Sequence, residues 1–120
     1  MAQLAIKGHS TRGKEVIKTL EMLGGHNNSH NFLGGTEYNY YYIGNYNTIS
    51  CIPKEKIDNS FVTFTIEEFI EKYPYKVGDK VVVKGLSKYP KSIHFMKWFD
   101  NNIHYSFDNE TWFLPSALKP

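Results

Sequence analysis

The chain has 120 residues, 41% hydrophobic and 16% aromatic, with a formal net charge of +2. That suits one compact unit able to bury about two thirds of its unfolded surface. The single cysteine, Cys51, excludes an internal disulfide and a cysteine-based zinc centre and points to a reducing compartment. No apolar run approaches the roughly 18 residues of a membrane-spanning helix, and no signal-peptide core opens the chain, so a soluble cytoplasmic protein is expected.

Residues 2–7, "AQLAIK", read as a first strand broken by Gly8. Val16, Ile17, Leu20 and Leu23 then fall on one helical face, which predicts a helix over 12–23 that stops at Gly24-Gly25. Next, "TEYNYYYI" and "NTISCI" read as two antiparallel strands joined by "GNYN". Tyr38, Tyr40 and Tyr42 are expected on one face, with Tyr41 and Ile43 on the other. A strand at 61–64 leads into a second helix. There Thr65-Ile-Glu-Glu68 forms a capping box, Phe64 and Phe69 form a hydrophobic staple, and Pro74 ends the helix. After Pro74 the rhythm changes to short strands in "DKVVVKG", "SIHFMKWF", "NIHYSF" and "ETWFLP", followed by a turn at "PSAL". The expected fold is therefore α+β. Two helices cover a small antiparallel sheet (βαββ(β)α) over residues 1–74, and a β-barrel-type half over 75–120 joins it in one compact unit.

The segment "VGDKVVVKG", with "IHFMKWF", "IHYSF" and "TWFLPSAL" behind it, resembles SH3-like small barrels. That resemblance implies an adaptor binding peptide, nucleic acid or its own chain. The whole chain, through "AIKGHSTRGKEVIKTLEMLGG" and "FTIEEFIEKYPYKVGDKV", resembles small uncharacterised proteins of phages that infect gut bacteria. This second resemblance implies a context and no residue role: a non-catalytic inhibitor acting on host defence in the cytoplasm of the bacterium.

The loop "KGHSTRGKEV" carries the strongest chemical pattern. A helix N-terminus offers unpaired amides and the positive end of the macrodipole, where anions settle. His9, Ser10 and Thr11 add donors there, Arg12 and Lys14 add charge, and Gly13 allows close approach. Cations in a first turn are unfavourable by about 0.3–1 kcal/mol each, so Arg12 and Lys14 favour an anionic guest; the plain alternative is an exposed, ordinarily capped loop. Glu15 replaces the Ser or Thr that a P-loop requires. With Tyr38, Tyr40 and Tyr42 as stacking partners, the expected ligand is a phosphorylated small molecule or nucleotide immune signal, held without turnover.

Other residues point elsewhere. Lys88, Lys91, Lys97 and Trp98 form a basic aromatic set suited to a host defence protein or a nucleoprotein such as a CRISPR effector. Residues 75–120 carry 7 Lys and Arg against 4 Asp and Glu, while residues 1–74 carry 7 against 8, a modest footprint for a nucleic-acid binder. His26 with His30, and His94 with His104, lack the partners a metal centre needs. Cys51 sits within a strand, and Glu67, Glu68 and Glu71 form the polar face of a helix. No catalytic residue, metal or cofactor is expected. Self-association into a homo-oligomer is compatible with the sequence.

Overall fold

The layers follow from alternation in the first strand. The structure, a computed structural model, describes residues 2–27, 33–86 and 88–120. β1 (Gln3–Lys7) turns Leu4 and Ile6 into the core and Ala5 to the opposite face, because successive strand residues point to opposite sides. It lies inside a four-stranded sheet of order β3-β2-β1-β4, with β2 at Asn39–Ile43, β3 at Ile49–Pro53 and β4 at Phe61–Phe64. The β1–β2 and β2–β3 pairs are antiparallel, as expected. The β1–β4 pair is parallel. This difference has a topological cause. Both β1 and β4 run directly into helices, α1 (Gly13–Met22) and α2 (Ile66–Lys72). Parallel strands bring both helix starts to the same end of the sheet, and both helices pack on the Leu4 and Ile6 face.

The α1 stripe of Val16, Ile17 and Leu20 is buried, and Leu23 follows it into the core. α2 starts as the sequence predicts. The Thr65 hydroxyl accepts from the Glu68 amide (3.1 Å), and the Glu68 carboxylate accepts from the Thr65 amide (2.8 Å). The staple is present too, with the Phe64 and Phe69 rings edge-on at 5.9 Å.

Beyond Pro74, β5 (Lys80–Val83) lies between β6 (Lys91–Ser92) and β9 (Leu118–Lys119). β7 (Phe95–Phe99) and β8 (Asn102–Ser106) form a hairpin. Its turn places Asp100 and Asn101 at φ 53° and 58°, the left-handed pair that a two-residue hairpin requires. The strand expected over "ETWFLP" is reduced to Phe113, which exchanges both backbone hydrogen bonds with Tyr105. The reason is local: the Asp108 carboxylate accepts from the Glu110 and Thr111 amides and folds that stretch into a turn. The turn at Pro115–Ala117 and the return of β9 to β5 complete this half.

Contacts across Pro74 are specific. Trp98 Nε1 donates to the Ala2 carbonyl (2.9 Å), and its ring meets Phe64 edge-on at 6.4 Å. The Ala2 amide donates to the Asn101 side-chain oxygen (3.1 Å). Buried apolar side chains from both sides of Pro74 form one cluster. Urea unfolding followed by tryptophan fluorescence and by far-UV circular dichroism should therefore give coincident transitions. Trp98→Ala should lower stability by about 3–5 kcal/mol in both signals. Separate transitions, or a loss confined to one signal, would show that the two halves unfold independently.

Candidate functional site

The loop between β1 and α1 closes on itself. His9 Nδ1 accepts from the backbone amides of Thr11 and Arg12, both at 3.1 Å, and lies 3.2 Å from the Thr11 hydroxyl. An acceptor at Nδ1 requires the proton on Nε2, which sits 3.3 Å from the Glu67 carboxylate. His9 thus fills the point where two consecutive amides converge and ties the start of α1 to the start of α2. Arg12 donates from Nε and from its guanidinium NH2 to one Glu15 oxygen, at 3.1 and 2.6 Å. That pairing holds the Glu15 carboxyl below its ordinary value and raises Arg12. The backbone of residues 33–35 packs against Gly13 so closely that a Cβ there would overlap the Leu33 carbonyl, and the Gly34 carbonyl accepts from the His9 amide. Ser10, Thr11 and Lys14 are exposed. The donors that sequence reasoning assigned to a phosphate are thus engaged by the chain itself at Thr11 and Arg12.

The tyrosines divide. Tyr41 is buried under the helices, so Tyr40 and Tyr42 occupy the opposite sheet face, half-buried. Tyr38 precedes β2, is exposed, and hydrogen-bonds Glu55 with Lys54 over its ring at 5.8 Å. Tyr42 meets Phe61 edge-on at 5.3 Å above Ala5. Tyr40 and Tyr42 therefore face away from α1, and the structure does not bring them to the loop at its start.

The C-terminal set also divides. Lys97 and Trp98 are consecutive in β7 and point to opposite faces. Trp98 turns inward to Ala2 and Phe64, while Lys97 lies 4.1 Å over the Trp112 ring on the outer face. Lys91 sits over Phe107 at 5.9 Å, at the edge of a separate hollow beside β5, and Lys88 is exposed.

Sequence reasoning missed a groove of about 240 Å³ between the helices. One wall is the α1 stripe Glu15, Lys18, Thr19 and Met22, spaced as one helical face. The other is the end of α2 and the linker, with Phe69, Ile70, Tyr73, Tyr75 and Lys76; Met96 of β7 closes the floor. Lys18 and Lys76 are exposed at the rim. Lys76 is near enough to Glu15 to help hold that carboxyl down. Tyr73 is only 4% exposed, yet its hydroxyl has no hydrogen-bond partner among the described residues. Burial pushes this phenol above its ordinary value, so it remains a neutral donor. An unpaired enclosed hydroxyl costs about 1–3 kcal/mol, and such a group calls for an explanation. The groove therefore combines adaptable methionine and aromatic walls with cations above, and one wall residue, Tyr73, keeps an enclosed donor unused.

No cluster of metal-binding side chains occurs among the described residues. His30, the expected partner of His26, lies outside the described residues. His104 packs against Phe99 at 5.8 Å, and His94 against Phe95 at 6.4 Å. Cys51 is half-buried against the core with its thiol unbridged. No helix among the described residues is long and apolar enough to cross a membrane.

Two measurements check this description. His9→Ala should cost about 0.5–2 kcal/mol, the range for losing a helix-start acceptor, while His9→Asn retains a side-chain acceptor and should recover most of it. Equal losses in thermal unfolding would refute the latch. The Tyr105 phenol is raised by burial first, then by Tyr73 and Asp79. Its folded value lies above the ordinary 10.0, so its contribution is complete below about pH 10 and is lost as the pH climbs from there toward that folded value. Tyr105→Phe should flatten the decline of the urea midpoint above about pH 10; parallel declines would contradict the assignment.

Comparison of the chain with protein-family models, with curated proteins and with solved structures finds no match, so its function is read from its own geometry.

Proposed function

We propose that the protein is a non-catalytic binding protein for a phosphorylated small molecule with a flat, hydrogen-bonding ring, a nucleotide being the natural class. The groove between α1 and α2 is the site. The observation that carries this reading is a groove with Tyr73 in its wall, a residue whose enclosed hydroxyl has no partner among the described residues, and with Lys18 and Lys76 at its rim. An aromatic heterocycle fits walls of Met22, Met96, Phe69 and Tyr75, because thioethers and rings pack well on flat apolar surfaces. Its polar edge would engage Tyr73 once the groove admits it. The phosphate would remain at the mouth, where two ammonium groups attract it without being desolvated.

The reading moves the phosphate from the β1–α1 loop to the rim. Thr11 and Arg12 are already engaged at the loop. Binding without turnover makes the protein a stoichiometric sink. The likeness of the sequence to phage proteins would place the ligand among the nucleotide signals of host defence, with the protein acting in the bacterial cytoplasm as an inhibitor by sequestration.

The test is calorimetric titration with a panel of linear and cyclic nucleotides, joined to native mass spectrometry of the cell-purified protein. At least one nucleotide should bind and be recovered unchanged. Lys18→Glu with Lys76→Glu should weaken it at least about tenfold, the effect of losing a 1.4 kcal/mol contact. Tyr73→Phe should weaken it less, and Lys88→Glu with Lys91→Glu should leave it unchanged. A panel that fails to bind, or binding insensitive to the rim lysines, would overturn the assignment.

A further inference from the structure

The outer face of the β7–β8 hairpin is uncovered by either helix and has its own chemistry. Along β7, Phe95, Lys97 and Phe99 share that face, since Met96 between them is buried. The register sets Lys97 opposite His104 on β8. The Tyr105–Phe113 bridge continues the sheet by one more residue, which brings Trp112 and Leu114 to the same side. Ser106 is fully buried, and Lys97 reaches the Trp112 ring at 4.1 Å and the Phe99 ring at 5.4 Å. Phe95 and Phe99 are 40% and 50% exposed, and Leu114 is 42% exposed, which is unusual for large apolar side chains grouped on one sheet face. The outward positions of β7 and β8 carry no acid.

We infer that this face is a short stacking platform for single-stranded nucleic acid, separate from the groove between the helices. Phe95 and Phe99 are four residues apart on an extended strand, roughly 13 Å, with a cation between them. Rings spaced along a strand with a positive charge between them match an unstacked strand, whose bases alternate with phosphates. The size of the face points the same way. A two-stranded hairpin extended by one bridged residue is narrow beside the roughly 800 Å² per partner that a stable protein interface needs, and its length suits two or three bases. Because Lys97 is the one lysine on the outward strand positions, stacking supplies most of the affinity and the salt dependence is shallow. Logarithmic affinity should fall with logarithmic salt at a slope of about −0.7, the value for one phosphate on a single strand.

The experiment is fluorescence anisotropy of a labelled hexathymidylate and of a labelled duplex of the same length, titrated with the full chain at several salt concentrations. Single strand should bind and duplex should not, with the shallow slope. Phe99→Ala should weaken binding by about 5- to 150-fold, the range for one lost base–aromatic stack, with an unchanged circular dichroism spectrum. Lys97→Gln should remove most of the slope while keeping most of the binding at high salt. Lys18→Glu with Lys76→Glu should leave hexathymidylate binding intact, so failure at the groove and failure here remain distinguishable. Equal binding of duplex, equal competition by polyglutamate, insensitivity to Phe99→Ala, or absence of binding at low salt would each overturn the inference; competition by polyglutamate would point instead to an acidic protein segment.

Discussion

The position of β1 between an antiparallel and a parallel neighbour constrains the rest of the molecule. Because β4 runs alongside β1 in the same direction, each strand delivers a helix to one face from one end of the sheet. The two helix starts are then close enough for His9 to bond the first amides on one side and Glu67 on the other. The helices leave that shared start over a common core. Their facing sides form the walls of the groove, and the linker after α2 carries Tyr75 and Lys76 along its edge. A sheet with β4 reversed would send α2 to the other end and remove both the latch and the groove.

That constraint also explains why the most suggestive motif is not the best site. The residues that make "KGHSTRGKEV" resemble an anion loop are those that a short β1–α1 connection needs. Gly8 and Gly13 admit the neighbouring backbone at Thr36 and Leu33, His9 collects two amides, and Arg12 neutralises Glu15. Amides that converge attract an anion only when nothing closer occupies the point of convergence. Tyr73 presents the converse case, an enclosed hydroxyl with its hydrogen-bonding capacity unused.

Local periodicity made much of the fold legible. The α1 stripe, the Thr65–Glu68 box and the Phe64–Phe69 staple involve residues within a few positions of one another, and each formed as expected. The alternation of Tyr40, Tyr41 and Tyr42 held for the same reason. The parallel β1–β4 pair was not legible, since it depends on how the chain returns across the sheet rather than on the composition of either strand. The groove was hidden because its walls come from residues 15–22, 69–76 and 96, which share no motif. One sequence signal did exist for the C-terminal half. Lys97 and Trp98, as neighbours in a strand, cannot serve one surface, and the same alternation groups Phe95 and Phe99 with Lys97.

The central claim is that the interhelical groove, rather than the loop before α1, receives the ligand. Amide chemical-shift mapping by NMR during titration with the tightest-binding nucleotide tests it most directly. The account predicts shifts concentrated at Lys18, Met22, Tyr73, Tyr75, Lys76 and Met96, with the amides of Thr11, Arg12 and Gly13 nearly still. Shifts centred on Thr11 to Lys14, with the groove residues unmoved, would contradict it.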